Sequence, residues 1–210
     1  MTAHRSMTRR AAAVAAAASA AVVLAACGGG SDSSAGHDGH EKTSSPTASA
    51  SAERGAQNAA DVAFAKGMIP HHRQAVEMAE LAETRARSSD VKELAAEVKK
   101  AQDPEIKTLS EWLTSWGEEV PKEGGSSEHS GHSMSGMMTP EDMDKLEKAS
   151  GKAFDTAFLE MMIKHHEGAV EMAKTEQSDG AHQPAKDMAG DIVTSQSSEI
   201  TRMNKLLGTS

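Results

Sequence analysis

Residues 61–79 read DVAFAKGMIPHHRQAVEMA, and residues 155–173 read DTAFLEMMIKHHEGAVEMA. Twelve of these 19 aligned positions are identical, at a constant offset of 94 residues. The same offset continues without a gap through two copies, 61–113 and 155–207. A match that keeps one fixed period over this length is typical of an internal duplication. The chain is therefore built from one structural unit used twice.

The spacing of apolar residues predicts two helices in each copy. With 3.6 residues per turn, one face of the first helix is formed by Phe64, Met68, Ala75, Ala79 and Ala82. One face of the second helix is formed by Val91, Leu94, Val98, Leu109 and Trp112. Ser88-Ser89-Asp90 predicts a side-chain cap between the two helices. Because one hairpin cannot bury its apolar face alone, we expect an all-α four-helix bundle of two duplicated hairpins with one long crossover.

The predicted bundle domain covers residues 53–210, and a linker over 117–139 separates the two copies. This linker is rich in Gly and Ser and contains His129, His132, Met134, Met137 and Met138. Such His- and Met-bearing stretches are typical of segments that collect metal, and equally of inert linkers. After the linker, Thr139-Pro140 predicts a short helix over residues 140–149.

The N-terminus has the pattern of a bacterial lipoprotein signal. Within residues 1–26, the first ten residues contain three arginines and no acidic residue, and residues 11–26 form an apolar run of 16 residues. That run is shorter than the roughly 20 residues of a membrane-spanning helix. It ends in Leu24-Ala25-Ala26-Cys27, which resembles a lipobox and implies cleavage before Cys27 with lipid attached to this residue. We expect an exported protein anchored to the outer face of the cytoplasmic membrane, with a secreted protein whose single Cys is incidental as the alternative.

The segment that follows the anchor predicts a tether. Residues 27–52 are rich in Gly, Ser, Ala and Thr and have too few apolar side chains to form a core. Removal of residues 1–26 takes away three arginines, so the formal net charge changes from −9 to −12. The folded part is therefore expected to stand off the membrane as an acidic domain.

The composition excludes several classes of protein. Only five of the 210 residues are aromatic, and none of them is tyrosine. Sheet proteins draw on aromatic and β-branched residues, and nucleic-acid binding needs a basic surface, so neither class is expected. One Cys excludes a disulfide within the chain. The abundant functional side chains are instead 13 Met and 10 His.

Adjacent histidines fall on the core-facing half of the first helix in each copy. With Met68 as the reference direction, His71 and His72 lie about 60° and 40° away on opposite sides. Asp61 falls on the same half of the helix. The second copy repeats this arrangement with Met162, His165, His166 and Asp155.

A glutamate is predicted to face each histidine pair from the partner helix. In a hairpin that turns near Ser88, His71 and Glu105 are equally far from the turn and therefore lie at one level. His165 and Glu199 are related in the same way in the second copy. Buried charges are costly unless they are paired or bind a metal. This level of the bundle is therefore either a metal site or a hydrogen-bonded network.

The types of donor favour copper among the metals. Thioether and imidazole groups together favour copper, Cu(I) especially, whereas carboxylate-rich sites favour iron or manganese. Di-iron bundles use Glu-x-x-His motifs, and the sequence contains none. The alternative without metal remains open, because methionines at helical spacing are commonly core residues and a glutamate can satisfy an adjacent histidine.

The paired segments Phe-x-x-x-Met-Ile-x-His-His-x-x-Ala-Val-Glu-Met-Ala, each followed by Gln-x-x-Glu-Ile, resemble the bacterial family named domain of unknown function 305. The resemblance covers nearly all of 61–207. It implies a ferritin-like four-helix bundle that is exported or membrane-attached, and some members of the family are associated with copper binding and tolerance. By match to the family motif, it implies the metal-binding residues Met68, His71, His72, Met78, Met162, His165, His166 and Met172.

Three hypotheses for the function follow from the sequence. The first is a non-catalytic envelope protein that binds or buffers copper. The second is a ferritin-like metal-dependent oxidase or redox enzyme, in which Glu105 and Glu199 would be ligands. The third is a structural or interaction module in which the contacts between histidine and glutamate are only core hydrogen bonds.

Overall fold

Two long helical hairpins make up most of the described chain. The computed structural model describes residues 57–122 and 135–208. The helices, in chain order, are α1 (Ala59–Arg85), α2 (Ser89–Trp116), α3 (Pro140–Lys148), α4 (Gly151–Asp179) and α5 (Gln183–Leu207). Helices α1 and α2 form the first hairpin, and α4 and α5 form the second. The predicted all-α helical bundle is confirmed, including the short helix after the linker.

Some of the predicted features lie outside the described residues. These are the signal segment 1–26, Cys27, the tether 27–52, and His129, His132 and Met134 of the linker. Within the described residues, every helix is too short or too polar to cross a bilayer.

Helices α1 and α4 pack against each other through the centre of the bundle and run in opposite directions. The first apolar cluster joins the second half of α1 to the first half of α4. Its largest fully buried members are Met78, Leu94, Leu146, Phe154, Phe158, Met162 and Met203. The second apolar cluster joins the first half of α1 to the second half of α4. Its largest fully buried members are Met68, Ile69, Leu109, Leu113 and Ile192.

An aspartate at the start of one hairpin holds the turn of the other. The Asp155 carboxylate accepts hydrogen bonds from the backbone amides of Arg87 and Ser88, at 2.9 and 3.0 Å. The Asp61 carboxylate accepts bonds from the amides of Ala181 and His182, the closer at 2.8 Å. These two sets of residues differ by the repeat offset of 94, so the hydrogen bonds repeat the pseudo-twofold symmetry of the fold.

The predicted side-chain cap at the start of α2 is wrong. Ser88 occupies the capping position, but its side chain makes no capping hydrogen bond. Instead, the backbone amides of this turn donate hydrogen bonds to the Asp155 carboxylate of the second hairpin. A local sequence pattern could not reveal this partner because it lies more than sixty residues away.

Both described ends of the crossover are attached to α1. Near its beginning, the Arg73 guanidinium donates to the carbonyl of Pro121 at 2.6 Å. Near its end, the Gln74 amide makes two hydrogen bonds with the backbone of Met138. Thr139 and Asp142 then form a capping box at the start of α3. The crossover therefore leaves and rejoins the described bundle along one stretch of α1.

Candidate functional site

A layer of polar side chains separates the two apolar clusters at the middle of the bundle. Its four histidines, two from α1 and two from α4, have no exposed surface at all. Helices α2 and α5 each add one buried glutamine and one half-buried glutamate. The members of this central layer are His71, His72, His165, His166, Gln102, Gln196, Glu105 and Glu199.

Each histidine pair is bonded to a glutamate of its own hairpin. His72 Nε2 lies 2.7 Å from Glu105 Oε2, and His166 Nε2 lies 2.7 Å from Glu199 Oε2. The level predicted from the sequence is thus correct, but the bonded ring is the second of each pair. Successive residues on a helix point about 100° apart, so only one ring of a pair can face the partner helix.

The first histidines of the two pairs meet between the hairpins. The ring centroids of His71 and His165 are 3.8 Å apart, with their planes tilted by 44°. Burial, with the neighbouring His72 ring, lowers the pKa of His71 to about 3. Burial and the His71 ring likewise hold the pKa of His165 well below its usual range. Both rings are therefore neutral at physiological pH, which is the form that binds metals.

Most of the ring nitrogens in this layer have no hydrogen-bond partner among the described residues. They are Nδ1 of His71, His72 and His166, and both nitrogens of His165. The remaining nitrogen of His71, Nε2, lies 3.1 Å from the carbonyl oxygen of Ser135, at the end of the crossover, and is hydrogen-bonded to it. Buried polar atoms are nearly always satisfied in folded proteins, so five bare nitrogens in one layer call for a further partner.

The predicted methionine ligands are placed at two distances from the histidines. Met68 and Met162 are fully buried and precede their histidine pairs by three and four positions, which is one helical turn. Met78 is also fully buried but packs in the first apolar cluster, and Met172 is half-buried against the second. Of the four, Met68 and Met162 are thus the thioethers next to the central layer.

The remaining predicted site residues have other surroundings. Asp61 and Asp155 hold the hairpin turns, about 15 Å along the helix from the nearest histidine pair. Met137 is half-buried, and Met138 is buried in the first apolar cluster. The structure therefore brings together the four histidines, two glutamates and two methionines, and leaves both aspartates elsewhere.

Three residues that shape the site or its surroundings were not predicted from the sequence. Gln74 and Gly168 occupy equivalent positions in the two copies, and both contact the end of the crossover. Glu176 is buried in the second copy, where the first copy has Ala82. The sequence does mark these positions: when the two copies are aligned, Gln74 stands opposite Gly168 and Ala82 opposite Glu176, and both pairs are chemically unlike.

In residues 57–122 and 135–208, no three His, Cys, Asp or Glu side chains converge as a ready-made metal cluster. The central layer therefore provides at most two such ligands to one metal ion. A site completed by methionine thioethers needs fewer than three such groups. The donor set of neutral imidazoles and adjacent thioethers fits a soft metal ion better than a hard one.

The comparisons with known proteins agree with this architecture. The family model described as domain of unknown function DUF305 matches residues 61–207. The crystal structure of a DUF305 protein from Streptomyces coelicolor, described as secreted, is 34% identical, with a TM-score of 0.64, over 71% of this chain and 92% of that chain. No curated protein matches the chain.

The chain is also similar to CopM, a protein solved with copper. CopM in the Cu(I)-bound form is 32% identical, with a TM-score of 0.58, over 70% of this chain and 94% of that chain. CopM in the Cu(II)-bound form is 35% identical, with a TM-score of 0.61 and the same coverage. With the family model spanning both copies of the repeat, this chain belongs to the DUF305 family.

Proposed function

We propose that this protein is an exported, membrane-anchored copper-binding protein whose metal site lies in the central histidine layer. The observation that carries the proposal is the set of five buried ring nitrogens without a partner among the described residues. A site for a metal explains why such costly atoms are kept between two apolar clusters.

The residues proposed to hold the metal come from both hairpins. The candidate ligands are His71, His72, His165 and His166, no more than two of which converge on one point in the described chain, with Met68 and Met162 as the adjacent thioethers. Met78 and Met172 match the family motif but lie farther along the helices. Glu105 and Glu199 are proposed to orient His72 and His166, because a carboxylate bonded to one ring nitrogen fixes the direction of the other.

Copper, in the Cu(I) state, is the metal that the donor chemistry supports. Thioether and imidazole are soft or intermediate ligands that suit Cu(I), and the neutral state of His71 and His165 removes the need to displace a proton. CopM, with about one third identity, has been solved in both Cu(I)- and Cu(II)-bound forms, which supports copper as the metal; the Cu(I) state is proposed from the donor chemistry alone.

The cellular location is part of the proposal. The lipobox-like ending at Cys27 supports a lipid anchor, and the Streptomyces coelicolor relative described as secreted supports export. His129, His132, Met134 and the half-buried Met137 are proposed as accessory copper ligands in the crossover. Met138 is not included, because its side chain is buried in the first apolar cluster.

Competition for Cu(I) against a chromophoric chelator tests the central site. We expect the variant with His71, His72, His165 and His166 all changed to Asn to lose Cu(I) affinity by at least about 100-fold, since a metal site depends on its ligands. His182→Asn is the matched control, because His182 is half-buried at the start of α5 and its ring contacts Trp112 and Trp116. Unchanged affinity in the fourfold variant would rule out the central layer as the copper site.

A further inference from the structure

The end of the crossover contacts only one of the two central histidines that face each other. The carbonyl oxygen of Ser135 lies 3.1 Å from Nε2 of His71. A carbonyl can only accept a hydrogen bond, so Nε2 must carry the proton. In a neutral ring, Nδ1 of His71 is then the nitrogen with a free lone pair, and it has no partner among the described residues. One contact therefore determines which nitrogen His71 presents.

This contact is held by the other residues of the segment 135–138, here termed the crossover strap. The Gln74 side chain accepts from the Met138 amide at 2.7 Å and donates to the Met138 carbonyl at 3.0 Å. The Ser135 hydroxyl donates to the Glu171 carboxylate at 2.6 Å. The strap is thus bonded to both α1 and α4, beside the central layer.

The strap also lies directly on the backbone of α4, where only glycine fits. A Cβ atom on Gly168 would stand 2.0 Å from the Ser135 carbonyl oxygen, which is far inside contact distance. Gly136 has a φ of 79°, and a Cβ there would meet the carbonyl oxygen of Lys164 at 2.6 Å. The glycine in α4 therefore sets how close the Ser135 carbonyl can come to the helices.

The two halves of the duplicated motif use equivalent positions differently. Gln74 in the first copy corresponds to Gly168 in the second, and the strap binds the side chain of one and the backbone of the other. His165, which corresponds to His71, makes no contact with the Ser135 carbonyl: its near backbone neighbour is His71, and neither of its nitrogens forms a hydrogen bond of good geometry within the described chain. The strap therefore breaks the symmetry of the histidine layer at its centre.

We propose that the crossover strap is a positioning element that fixes His71 in the Nε2–H form and so presents Nδ1 to the metal, while His165 is not held by the strap. The role in metal binding rests on the proposed copper site, whereas the fixed ring form of His71 does not. Gly168 and Gln74 are the positioning residues, since they act on His71 through the strap and touch no proposed ligand-binding nitrogen.

Long-range proton–nitrogen correlation spectra of the metal-free, 15N-labelled protein test the geometry. In the wild-type protein, we expect the His71 signals of the Nε2–H form. Gly168→Ala displaces the Ser135 carbonyl, although Ala is the better helix former, and should yield a mixture of both forms. Gly190→Ala is the matched control, because its Cβ would approach only the flexible end of Gln177, at 3.1 Å.

A second variant covers the case in which Gly168→Ala fails to fold. Gln74→Met keeps the length of the side chain but loses both hydrogen bonds to Met138, and it should produce the same mixture of ring forms. In both variants we expect Cu(I) affinity to fall on the order of 10–100-fold, which is usual when the groups that orient a metal ligand are lost.

The results separate this inference from the proposed function. A wild-type His71 in the Nδ1–H form overturns the inference whatever the protein does with copper, and so do unchanged ring signals in both strap variants. Conversely, a protein that binds no copper but shows the expected forms of His71 contradicts the proposed function and leaves the positioning role of the strap in place.

Discussion

The side chain of Glu176 lies buried near the end of α4, beside the Asp61 carboxylate. Its burial and its hydrogen bond with Asp61 raise the pKa of Glu176 to about 8, partly opposed by Lys186. The pKa of Asp61 is lowered, because backbone amides of the second hairpin turn and of Asn58 outweigh the opposing effect of its burial. At neutral pH the pair therefore shares one proton, with Glu176 as the donor.

This environment predicts that Glu176→Gln changes how stability depends on pH. A raised pKa stabilises the fold below the ordinary value of 4.5, and the effect is lost as the pH rises through about 8. We expect the free energy of unfolding of the wild-type protein to fall more steeply between pH 6.5 and 8, by up to about 1.4 kcal/mol per pH unit, than that of the variant, and the two slopes to converge above pH 8. Urea unfolding over this range measures the difference.

Glu167→Gln is the control for this measurement, because Glu167 lies on the same helix but is exposed. It should leave the slope of stability against pH as in the wild-type protein. Equal slopes for wild type and Glu176→Gln would contradict a protonated Glu176. The histidines of the central layer are the same in all three proteins, so their contribution to the slope cancels in the comparison.

The residues of the central layer could be located from the sequence, whereas the alignment of the two copies marks Glu176 only as unlike Ala82 and does not identify Asp61 as its partner. Periodicity placed His71 and Glu105 at one level because both lie in regular helices whose geometry is fixed. Which ring of a pair bonds the glutamate depends on rotations of a few tens of degrees that the pattern does not resolve. The surroundings of Glu176 depend on contacts between α1 and α4, which are far apart in the chain.

At the scale of the helices, each hairpin is hydrogen-bonded to the turn of the other. Asp155, at the start of α4, binds the turn after α1, and Asp61, at the start of α1, binds the turn after α4. Each carboxylate accepts from two backbone amides of the turn and capping position just before a helix, which would otherwise lack acceptors. The aspartates thus serve the packing of the hairpins rather than the central layer.

This role predicts the effects of Asp155→Ala. Loss of both acceptors should lower the free energy of unfolding by about 1–3 kcal/mol and speed hydrogen exchange at the Arg87 and Ser88 amides. Cu(I) affinity should stay within about twofold of the wild type, because Asp155 lies about 15 Å along α4 from His165. Asp191→Ala, at an exposed position of α5, is the control. A tenfold loss of copper affinity in Asp155→Ala would instead indicate that this carboxylate belongs to the metal site.

The helices themselves were predictable, and their attachments were not. The duplicated pattern and the breaks near Ser88 and Gly180 gave the number and order of the long helices, because amphipathic periodicity is local. The cap of α2 and the course of the crossover depend on Asp155 and Gly168, which act across the bundle. Tertiary contacts of this kind leave no mark in a window of neighbouring residues.

At the scale of the whole molecule, the central layer is where the two hairpins bring their buried histidines together. His71 and His72 belong to the first hairpin, and His165 and His166 to the second. A metal bound by residues of both hairpins would link them in the native state only. Ligands that bind only the native state raise its stability in proportion to the logarithm of their concentration.

Copper is therefore expected to raise the melting temperature of the whole bundle. At a free Cu(I) concentration of 100 times Kd, the expected stabilisation is about 2.7 kcal/mol, measured by thermal unfolding under reducing conditions. The paired variant His165→Asn/His166→Asn should lose most of this effect, although the first hairpin keeps both of its histidines. Full stabilisation of that variant would contradict a site shared between the hairpins, and His182→Asn again serves as the control.

The attachment of the crossover to α1 bears on how this protein can vary. Arg73 holds the carbonyl of Pro121 and His71 holds that of Ser135, so the two ends of residues 122–134 are fixed two positions apart on one helix. A loop whose ends are already together adds only about 0.6 kcal/mol of closure entropy for each doubling of its length. Insertions, deletions and changes in His or Met number can therefore accumulate in that segment without displacing either hairpin. The duplicated bundle can therefore keep its histidine layer while the segment between the two copies varies in length and composition.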